Sequence, residues 1–551
     1  MLVKTYGSAV CGIEAITVTI EASVTAGINF YLVGLPDSAV RESQQRISTA
    51  VQSVGLRIPG KRIVINMAPA DIRKEGSAYD LPLALAVLGA SEQISARVLD
   101  STVCMGELAL DGTVRPVRGA LSMALHARDC GFKACIFPME SAREASVVKG
   151  IDIYGVSHLA QVLDLVEGFG GVQAIEPGLE PVPSQTNGQI MANCPDFAQV
   201  RGQAQARRAL EVAAAGGHNV LMTGPPGAGK TFMARCLPGI LPPLSPAEAV
   251  ETTRIWSVAG VPRGEEGLMR SRPFRSPHHT ASVVSLTGGG ASALPGEISL
   301  AHNGVLYLDE LPEFPGRALE VLRQPLEDGT IQLSRVRYKV SYPARFMLVA
   351  SMNPCPCGFR GHPSRACICT DYQVQRYRNR ISGPLLDRID IQLQVKPVEI
   401  DDLIPEQEQL APPSPGQGKL GPPSHVRSSG ALGKSSGVTA GSSGALGKSS
   451  GALAESSAVI RYRVEKAREI QRDRFCELEG VHTNAHMKID ELNRYCELNG
   501  SCRTFLKQAA LRMQFSARAH HRILRLARTI ADLDGSVAIE IHHLAEAIQY
   551  R

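Results

Sequence analysis

A chain of 551 residues is too long to form a single hydrophobic core, and its length predicts about three domains. Apolar residues make up 44% of the sequence and charged residues 20%, which is ordinary for a globular protein. The net charge of +5 allows a nucleic-acid partner but does not argue for one, because the basic residues are spread along the chain.

Targeting signals and disulfides are not expected. No apolar run approaches the roughly 20 residues that span a bilayer, and the first residues, MLVKTYGSAVCGIEA, lack a hydrophobic signal core. We therefore expect a cytoplasmic protein with no membrane partner. Thirteen cysteines, an odd number without an export signal, argue against a disulfide framework.

Residues 1–170 alternate strand-like and helix-like runs and predict an α/β domain. Strands are expected at 13–21 and 62–66, and helices at 81–88 and 119–127. Four segments carry a resemblance to the proteolytic domain of Lon-type proteases, which has a ribosomal-protein-S5-like fold: residues 74–78 (KEGSA), 106–108 (GEL), 112–117 (GTVRPV) and 119–121 (GAL).

The Lon-like resemblance implies a Ser–Lys dyad, and Ser77 falls at the position of the nucleophile. The position that aligns with the base is Ser122, and the nearest following lysine is Lys133. Because a serine hydroxyl without an adjacent base is a poor nucleophile, a degenerate docking or scaffold domain is the alternative to a protease.

Residues 171–195 are rich in Pro and Gly and predict a linker. Residues 196–215 are expected to form a helix leading into a phosphate-loop pattern. That pattern comprises Gly224, Pro225, Pro226, Gly227, Ala228, Gly229, Lys230 and Thr231. A strand before it and a helix after it would aim several backbone N–H groups at one phosphate-binding spot. Lys230 would reach the β- and γ-phosphates of ATP, and the Thr231 hydroxyl would bind Mg²⁺.

Two further strands are expected to end in polar residues. Residues 304–308 are followed by Asp309, placed to hold Mg²⁺ through its water shell, and by Glu310, placed to polarise the attacking water. Residues 346–352 are followed by Asn353, which could orient that water as a first sensor. Arg388 is a candidate arginine finger, with a surface salt bridge to Asp387 or Asp390 as the alternative. Arg380 is the next candidate for that role.

The order of these segments resembles the Mg-chelatase-like AAA+ ATPases of the ComM/YifB type over nearly the whole chain. The segments are the phosphate loop, residues 272–279 (RPFRSPHH), 295–302 (PGEISLAH), the strand ending in Asp309 and Glu310, and residues 353–358 (NPCPCG). The family shares an AAA+ branch with Mg-chelatase and minichromosome maintenance helicases. The resemblance implies a multidomain α/β protein with a degenerate Lon-like domain (1–170), an AAA+ core (196–404) and a helical lid (458–551). Composition adds a linker (171–195) and an insert (405–457), and the insert departs from the compact pattern expected of the family.

The family's AAA+ branch has two insertions that face the pore of a ring. Here they would be residues 287–291 with their flanks and the hairpin 329–343, with Arg335, Arg337 and Lys339 near its tip. A Gly-rich tip can approach a backbone closely, and three cations over five residues can contact phosphates without reading bases. A solvated hairpin is the alternative.

A cysteine cluster and a repeat-containing segment are two further features of the sequence. Cys355, Cys357, Cys367 and Cys369 are enough for a tetrahedral Zn²⁺ site, although their spacing is not Cys-x-x-Cys; an ordered loop of reduced, metal-free cysteines is the alternative. Residues 405–457 carry the decapeptide SSGALGKSSG twice, at 428–437 and 442–451, and predict a disordered tether.

Residues 458–551 are expected to be helical throughout. One helix should run from 461 to 475, and another should start at 516–518. The family resemblance makes Arg518 the second-sensor arginine, which contacts the γ-phosphate from the lid. An exposed helix charge is the alternative.

Three functions follow from these patterns. The first is an ATP-hydrolysing ring, a homo-hexamer, that acts on single-stranded or branched DNA; the resemblance implies branch migration in natural transformation or recombination. The second is a chelatase-type ATPase that remodels a protein partner, and the third is an ATP-dependent protease, which the missing lysine argues against. All three use ATP and Mg²⁺.

Overall fold

The computed structural model describes residues 2–169, 171–176, 194–261, 267–290, 293–334, 339–397, 455–478 and 480–550. The molecule is a mixed α/β protein with two large sheets and a set of helices at the carboxyl end. Most of the predicted linker (171–195) and of the predicted tether (405–457) lies outside these residues. Among the residues with described structure, no helix has both the length and the apolar character needed to cross a bilayer.

The amino-terminal region is built on a seven-stranded sheet of order β3-β4-β2-β1-β5-β8-β9. Its strands are β1 (Leu2–Cys11), β2 (Glu14–Thr25), β3 (Phe30–Val33), β4 (Arg62–Ala68), β5 (Thr102–Cys104), β8 (Ala134–Pro138) and β9 (Asp152–Val156), and a small hairpin adds β6 (Glu107–Leu108) and β7 (Val114–Arg115). Its helices are α1 (Ser38–Arg41), α2 (Ser43–Ser53), α3 (Asp80–Ala90), α4 (Ala120–Asp129), α5 (Met139–Ala145) and α6 (Leu159–Glu167). All residues of α3 are buried, which explains why its sequence is apolar on every side.

The second sheet has five strands in the order β11-β14-β17-β10-β18, and every neighbouring pair is parallel. The strands are β10 (Val220–Thr223), β11 (Phe274–Arg275), β14 (Val305–Leu308), β17 (Met347–Met352) and β18 (Ile391–Gln394). Because the carboxyl ends of parallel strands meet at one edge, the residues that follow β10, β14 and β17 come together there. The strands predicted before the phosphate loop, Asp309 and Asn353 are therefore present and adjacent.

Helices and two hairpins complete this region. The helices are α7 (Ala204–Gly216), α8 (Lys230–Cys236), α9 (Pro246–Ala259), α10 (Val283–Thr287), α11 (Glu297–Leu300), α12 (Gly316–Glu320), α13 (Arg323–Asp328), α14 (Asp371–Arg378) and α15 (Gly383–Leu386). One hairpin pairs β12 (Gly288–Gly289) with β13 (Leu294–Pro295), and the other pairs β15 (Thr330–Ser334) with β16 (Lys339–Pro343).

The predicted lead-in helix over 196–215 starts later than expected. Phe197–Gln199 form a single 3₁₀ turn, and the continuous helix begins only at Ala204. Gly202 and Gln203 both have positive φ, of 63° and 54°, so the backbone is left-handed there and the helix can begin only after them.

The β15–β16 hairpin rests on the amino-terminal sheet. Its residues Val340 and Tyr342 pack in one apolar cluster with Cys11 and Ile13, which flank the turn between β1 and β2. Gly12 in that turn has a φ of 67°, and a Cβ added there would lie 2.6 Å from Cγ1 of Val340. The hairpin and the amino-terminal turn are therefore in direct contact.

The carboxyl end is a bundle of helices packed on α7. Its members are α16 (Ser457–Arg474), α17 (Ile489–Tyr495), α18 (Gly500–Met513), α19 (Ala517–Leu533) and α20 (Ile541–Gln549). Arg468 and Gln471 of α16 donate hydrogen bonds to the carbonyls of Ala214 and Ala215, at 2.7 and 3.0 Å. These donors satisfy carbonyl groups that the end of α7 leaves without an intrahelical partner.

A buried histidine joins this bundle to the five-stranded sheet. His218, just before β10, lies 2.8 Å from the Thr529 hydroxyl of α19 and 3.2 Å from the Asp390 carboxylate that precedes β18. His218 is fully buried, so its two ring nitrogens fix the sheet and α19 relative to one another.

Candidate nucleotide site

The phosphate loop lies between β10 and α8, as the sequence predicts. Gly227 and Gly229 have φ values of 78° and 81°, a region that residues with a Cβ rarely adopt. At Gly224 an added Cβ would lie 2.5 Å from the carbonyl oxygen of Val395, so only glycine fits there. The helix begins at Lys230, within the pattern itself.

The Lys230 amine is placed at the loop and at the neighbouring strand end. It donates hydrogen bonds to the carbonyls of Gly224 and Pro225, at 2.6 and 2.8 Å, and to Oδ1 of Asn353 at 3.3 Å. Burial lowers the pKa of Lys230, and the nearby Asp309 and Glu310 oppose that shift. The predicted phosphate-binding lysine and the predicted first sensor are therefore in contact.

Thr231 and Asp309 are joined directly. The Thr231 hydroxyl donates to Oδ2 of Asp309 at 2.8 Å, and the Ser351 hydroxyl donates to Oδ1. Burial opposes the ionisation of Asp309, but the hydrogen bonds from Ser351 and Thr231 outweigh it and lower the pKa of this carboxyl below its usual value. A hydroxyl beside an ionised carboxylate is the oxygen donor set that Mg²⁺ prefers, so these residues fit the ion that the sequence predicts.

Two residues of this network were missed by the sequence analysis. The Tyr307 hydroxyl lies 3.2 Å from the hydroxyl oxygens of both Thr231 and Ser351. Tyr307 and Ser351 each precede a predicted site residue by two positions, and alternate residues of a strand share one face. A polar side chain two residues before the polar residue that follows an apolar strand was the signal that could have identified them.

Glu310 faces outward at the end of the same strand. Its backbone is left-handed, with a φ of 52°, and its side chain is 52% exposed. One carboxylate oxygen lies 3.5 Å from Nδ1 of His279, whose ring stacks near that of His278. A water bound in front of Glu310 would therefore also face His279, whose role the sequence analysis did not identify.

The three predicted arginines are each paired within the chain. Arg388 forms an ion pair with Glu327 rather than with Asp387 or Asp390, and Arg380 pairs with Glu313 at 2.7 Å. Arg518, in the first turn of α19, pairs with Asp387 at 3.2 Å and is 65% exposed. The salt bridge that was expected between Arg388 and Asp387 or Asp390 is therefore not observed, because Arg388 is already paired with Glu327 at the end of α13.

The predicted DNA contacts are described only in part. The strands of the predicted 329–343 hairpin are present, and Lys339 is exposed at the start of β16. Arg335 and Arg337 lie outside the described residues, as does Ala291 of the other insertion.

The two serines predicted for the protease site form hydrogen bonds with partners other than a lysine. The Ser77 hydroxyl donates to the Glu107 carboxylate, and Ser122 is buried and accepts a hydrogen bond from Arg254 of α9 at 3.2 Å. A hydroxyl that donates to a carboxylate instead of a neutral lysine is not paired with the base of a Ser–Lys dyad.

Three family models for Mg-chelatase match the chain. "Magnesium chelatase, subunit ChlI" matches residues 196–403, "Subunit ChlI of Mg-chelatase" matches residues 20–141, and "Magnesium chelatase, subunit ChlI C-terminal" matches residues 454–551. The Escherichia coli protein YifB is 41% identical over 545 residues, which is 98% of this chain and 96% of YifB. The chain belongs to the YifB/ComM family of Mg-chelatase-like proteins.

Two more relatives match the chain, one over nearly its full length and one over less than a quarter of it. Competence protein ComM of Haemophilus influenzae is 40% identical over 550 residues, 99% of this chain and 96% of ComM. Lon protease 2 of Bacillus subtilis is 29% identical over 129 residues, 23% of each chain. The YifB/ComM resemblance seen in the motifs is thus confirmed over nearly the full length.

Replacing Tyr307 with Phe should weaken Mg²⁺ binding without unfolding the sheet. The change removes the hydroxyl that fixes Thr231 and Ser351, and one such hydrogen bond contributes about 1 kcal/mol, or roughly fivefold in affinity. The Mg²⁺ concentration that half-saturates ATP binding should rise by about that factor. Tyr462→Phe, on an exposed face of α16, is the control and should leave the titration unchanged. If both variants required the same Mg²⁺ concentration for half-saturation, Tyr307 would not contribute to Mg²⁺ binding.

Proposed function

We propose that this chain is a Mg²⁺-dependent AAA+ ATPase that assembles as a homo-hexameric ring and moves on DNA, in branch migration or unwinding during natural transformation or recombination. The observation that carries the ATPase part is the direct hydrogen bond from Thr231 to Asp309 beside the Lys230–Asn353 contact. Phosphoryl transfer needs these groups together: a cation at the phosphates, a hydroxyl and a carboxylate for the metal, and a polar group near the water.

Each residue then has a role in hydrolysis. Backbone N–H groups of the loop and the start of α8 hold the phosphates of ATP, and Lys230 exchanges its carbonyl partners for phosphate oxygens. Thr231 and Asp309 would hold Mg²⁺, and the bound ion would neutralise charge that develops on the phosphate oxygens. Glu310 accepts a proton from the attacking water, and Asn353 orients that water.

Arg388 and Arg518 act on the γ-phosphate in this proposal. The ion pair of Arg518 with Asp387 is exposed and contributes little to stability, so γ-phosphate can replace that carboxylate at little cost. The Arg388 side chain is only 12% exposed, so its pair with Glu327 has to open before Arg388 reaches a phosphate. Arg388 would serve the site of the next subunit in the ring. Arg518 would contact the γ-phosphate from α19.

The proposal also gives each domain a role. Residues 1–170 are a Lon-like S5-type domain without protease chemistry, 196–404 the AAA+ core, and 458–551 the lid. The Ser77–Glu107 contact supports an amino-terminal domain without protease chemistry. The parallel sheet of order β11-β14-β17-β10-β18 supports the AAA+ core. The amino-terminal region then serves as a support, because its β1–β2 turn packs on the β15–β16 hairpin.

DNA is the proposed substrate of the ring because a relative that covers almost the whole chain is named a competence protein, and because the hairpin sequence carries three cations. A protein partner remodelled by a chelatase-like ATPase is the second candidate, since all three matching family models are named for Mg-chelatase. The two candidates differ in whether DNA stimulates ATP hydrolysis.

Glu310→Gln should stop turnover while keeping ATP bound. The amide keeps the shape of the carboxylate but cannot take a proton, and general-base catalysis contributes about 10²- to 10⁴-fold in rate. We expect single-turnover hydrolysis to fall by at least about 100-fold with ATP affinity unchanged. Glu477→Gln, on an exposed carboxylate beyond α16, is the control. Normal hydrolysis by Glu310→Gln would contradict the assigned role.

The triple variant of Arg335, Arg337 and Lys339 to Ala should lose DNA-stimulated ATP hydrolysis and keep the basal rate. Every cation–phosphate interaction that the variant removes should reduce the slope of log affinity against log salt by about 0.7 on single strands and 0.9 on duplex. DNA affinity is measured over a salt series with single-stranded and branched DNA. Lys507→Ala, on an exposed face of α18, is the control.

Two results would count against the DNA proposal. Unchanged DNA affinity and salt slope in the triple variant would place the DNA-binding surface elsewhere. No stimulation of the unaltered protein by any DNA would favour the protein-remodelling candidate.

A further inference from the structure

Four cysteine sulfurs meet at the end of β17. Cys355 and Cys357 follow the strand, and Cys367 and Cys369 return to the same place after a short loop. The Sγ atoms of Cys355 and Cys357 are 3.4 Å apart, and both lie 3.6 Å from Sγ of Cys367. All four sulfurs lie within 4.8 Å of one another.

These separations match a tetrahedral zinc site. With a Zn–S distance of about 2.3 Å, the sulfurs of a tetrahedron are about 3.8 Å apart. A disulfide is excluded for these pairs, because its sulfurs would be about 2.05 Å apart and all thirteen cysteines are free. Four unbonded thiols in contact, one of them completely buried, have no packing reason to converge on one point.

Backbone N–H groups surround two of the sulfurs. The N–H groups of Phe359 and Ile368 point at the Cys357 sulfur, and that of Cys369 points at the Cys367 sulfur. Such donors are the usual outer partners of metal-bound thiolates, since they fix the ligands and offset their charge. His362 is not among the ligands: its Nδ1 accepts from the Ser364 N–H at 3.2 Å.

We propose that Cys355, Cys357, Cys367 and Cys369 bind one structural Zn²⁺ that holds the phosphate loop and Asn353 in position. Four protein ligands complete the coordination of the ion, which distinguishes a structural site from a catalytic one that keeps a position for water. The link to the nucleotide site rests on the proposed ATPase function; the metal site itself does not.

Gly358 connects the cysteine turn to the phosphate loop and to Asn353. Its N–H donates to the carbonyl of Cys355 at 2.9 Å, which closes the turn around the first two ligands. Gly358 has a φ of 83°, and a Cβ added there would lie 2.7 Å from Cδ of Pro226 in the phosphate loop and 4.0 Å from Cγ of Asn353. The turn that the metal closes is therefore packed against both, and the four cysteines are positioning residues.

The first test is metal content, measured by mass spectrometry on protein purified without chelator. The unaltered chain and the control Cys476→Ser, an exposed thiol outside the cluster, should each hold one zinc per chain. Cys367→Ser should lose it, and Cys369→His should keep it, because imidazole is also a zinc ligand. Cobalt substitution should give tetrathiolate absorption bands, which change in Cys369→His. An unaltered chain that holds neither zinc nor added cobalt would overturn the site, even if Cys367→Ser fails to fold.

The second test separates positioning from mere folding. Zinc is withdrawn from the folded protein with a thiol-reactive reagent and chelator, and binding of a fluorescent ATP analogue is measured before and after zinc is restored under reducing conditions. Affinity should fall several-fold and recover, and Cys476→Ser should behave as the unaltered chain. Zinc loss with unchanged nucleotide affinity would overturn the coupling. A chain that holds zinc but binds no nucleotide would contradict the proposed ATPase and leave the metal site standing.

Discussion

The hydrogen bond between Thr231 and Asp309 is the contact on which the nucleotide site depends. The two residues belong to strand–loop units that are not adjacent in the sheet, because β17 lies between β10 and β14. Their side chains can meet only above the end of β17, where Ser351 also donates to Asp309. A change in the register of any of these parallel strands by one residue would turn one partner to the opposite face.

The central position of β17 explains why so much of the chemistry is gathered at its end. Ser351 bonds to Asp309, Asn353 accepts from Lys230, and two residues later the chain enters the cysteine turn. The middle strand thus contacts the phosphate loop on one side and the acidic strand on the other. A metal that fixes the turn after this strand would act on both neighbours at once, which a metal at an edge strand could not do.

The sequence was sufficient to place a functional residue on its helix, strand or loop wherever that placement depends on a local pattern. The phosphate loop, Asp309, Asn353 and the start of α19 at Ser516 lie on the elements that their patterns predicted, and the Ser516 hydroxyl accepts from the Ala519 N–H at 3.2 Å. Strand endings are visible in sequence, because an apolar run followed by a carboxylate or an amide needs no knowledge of distant residues.

Distant contacts were what the sequence could not supply. Glu327 is 61 residues from Arg388, so its pairing could not be inferred from the neighbouring Asp387 and Asp390. The packing of Gly12 on Val340 joins segments over 300 residues apart in the same way. The late start of α7 was missed because Gly202, before the left-handed Gln203, was not interpreted as a break in the predicted helix, and Tyr307 was missed because its partners lie on other elements.

The most direct test of this account is a double-mutant cycle on Mg²⁺-dependent ATP binding with Thr231→Ala, Asp309→Asn and the double variant. If the two side chains hold one ion through a shared hydrogen bond, the loss in the double variant should fall short of the sum of the single losses by about 1 kcal/mol or more. Losses that add to within about 0.5 kcal/mol would show that the residues act independently, and would contradict the joined site on which the account is built.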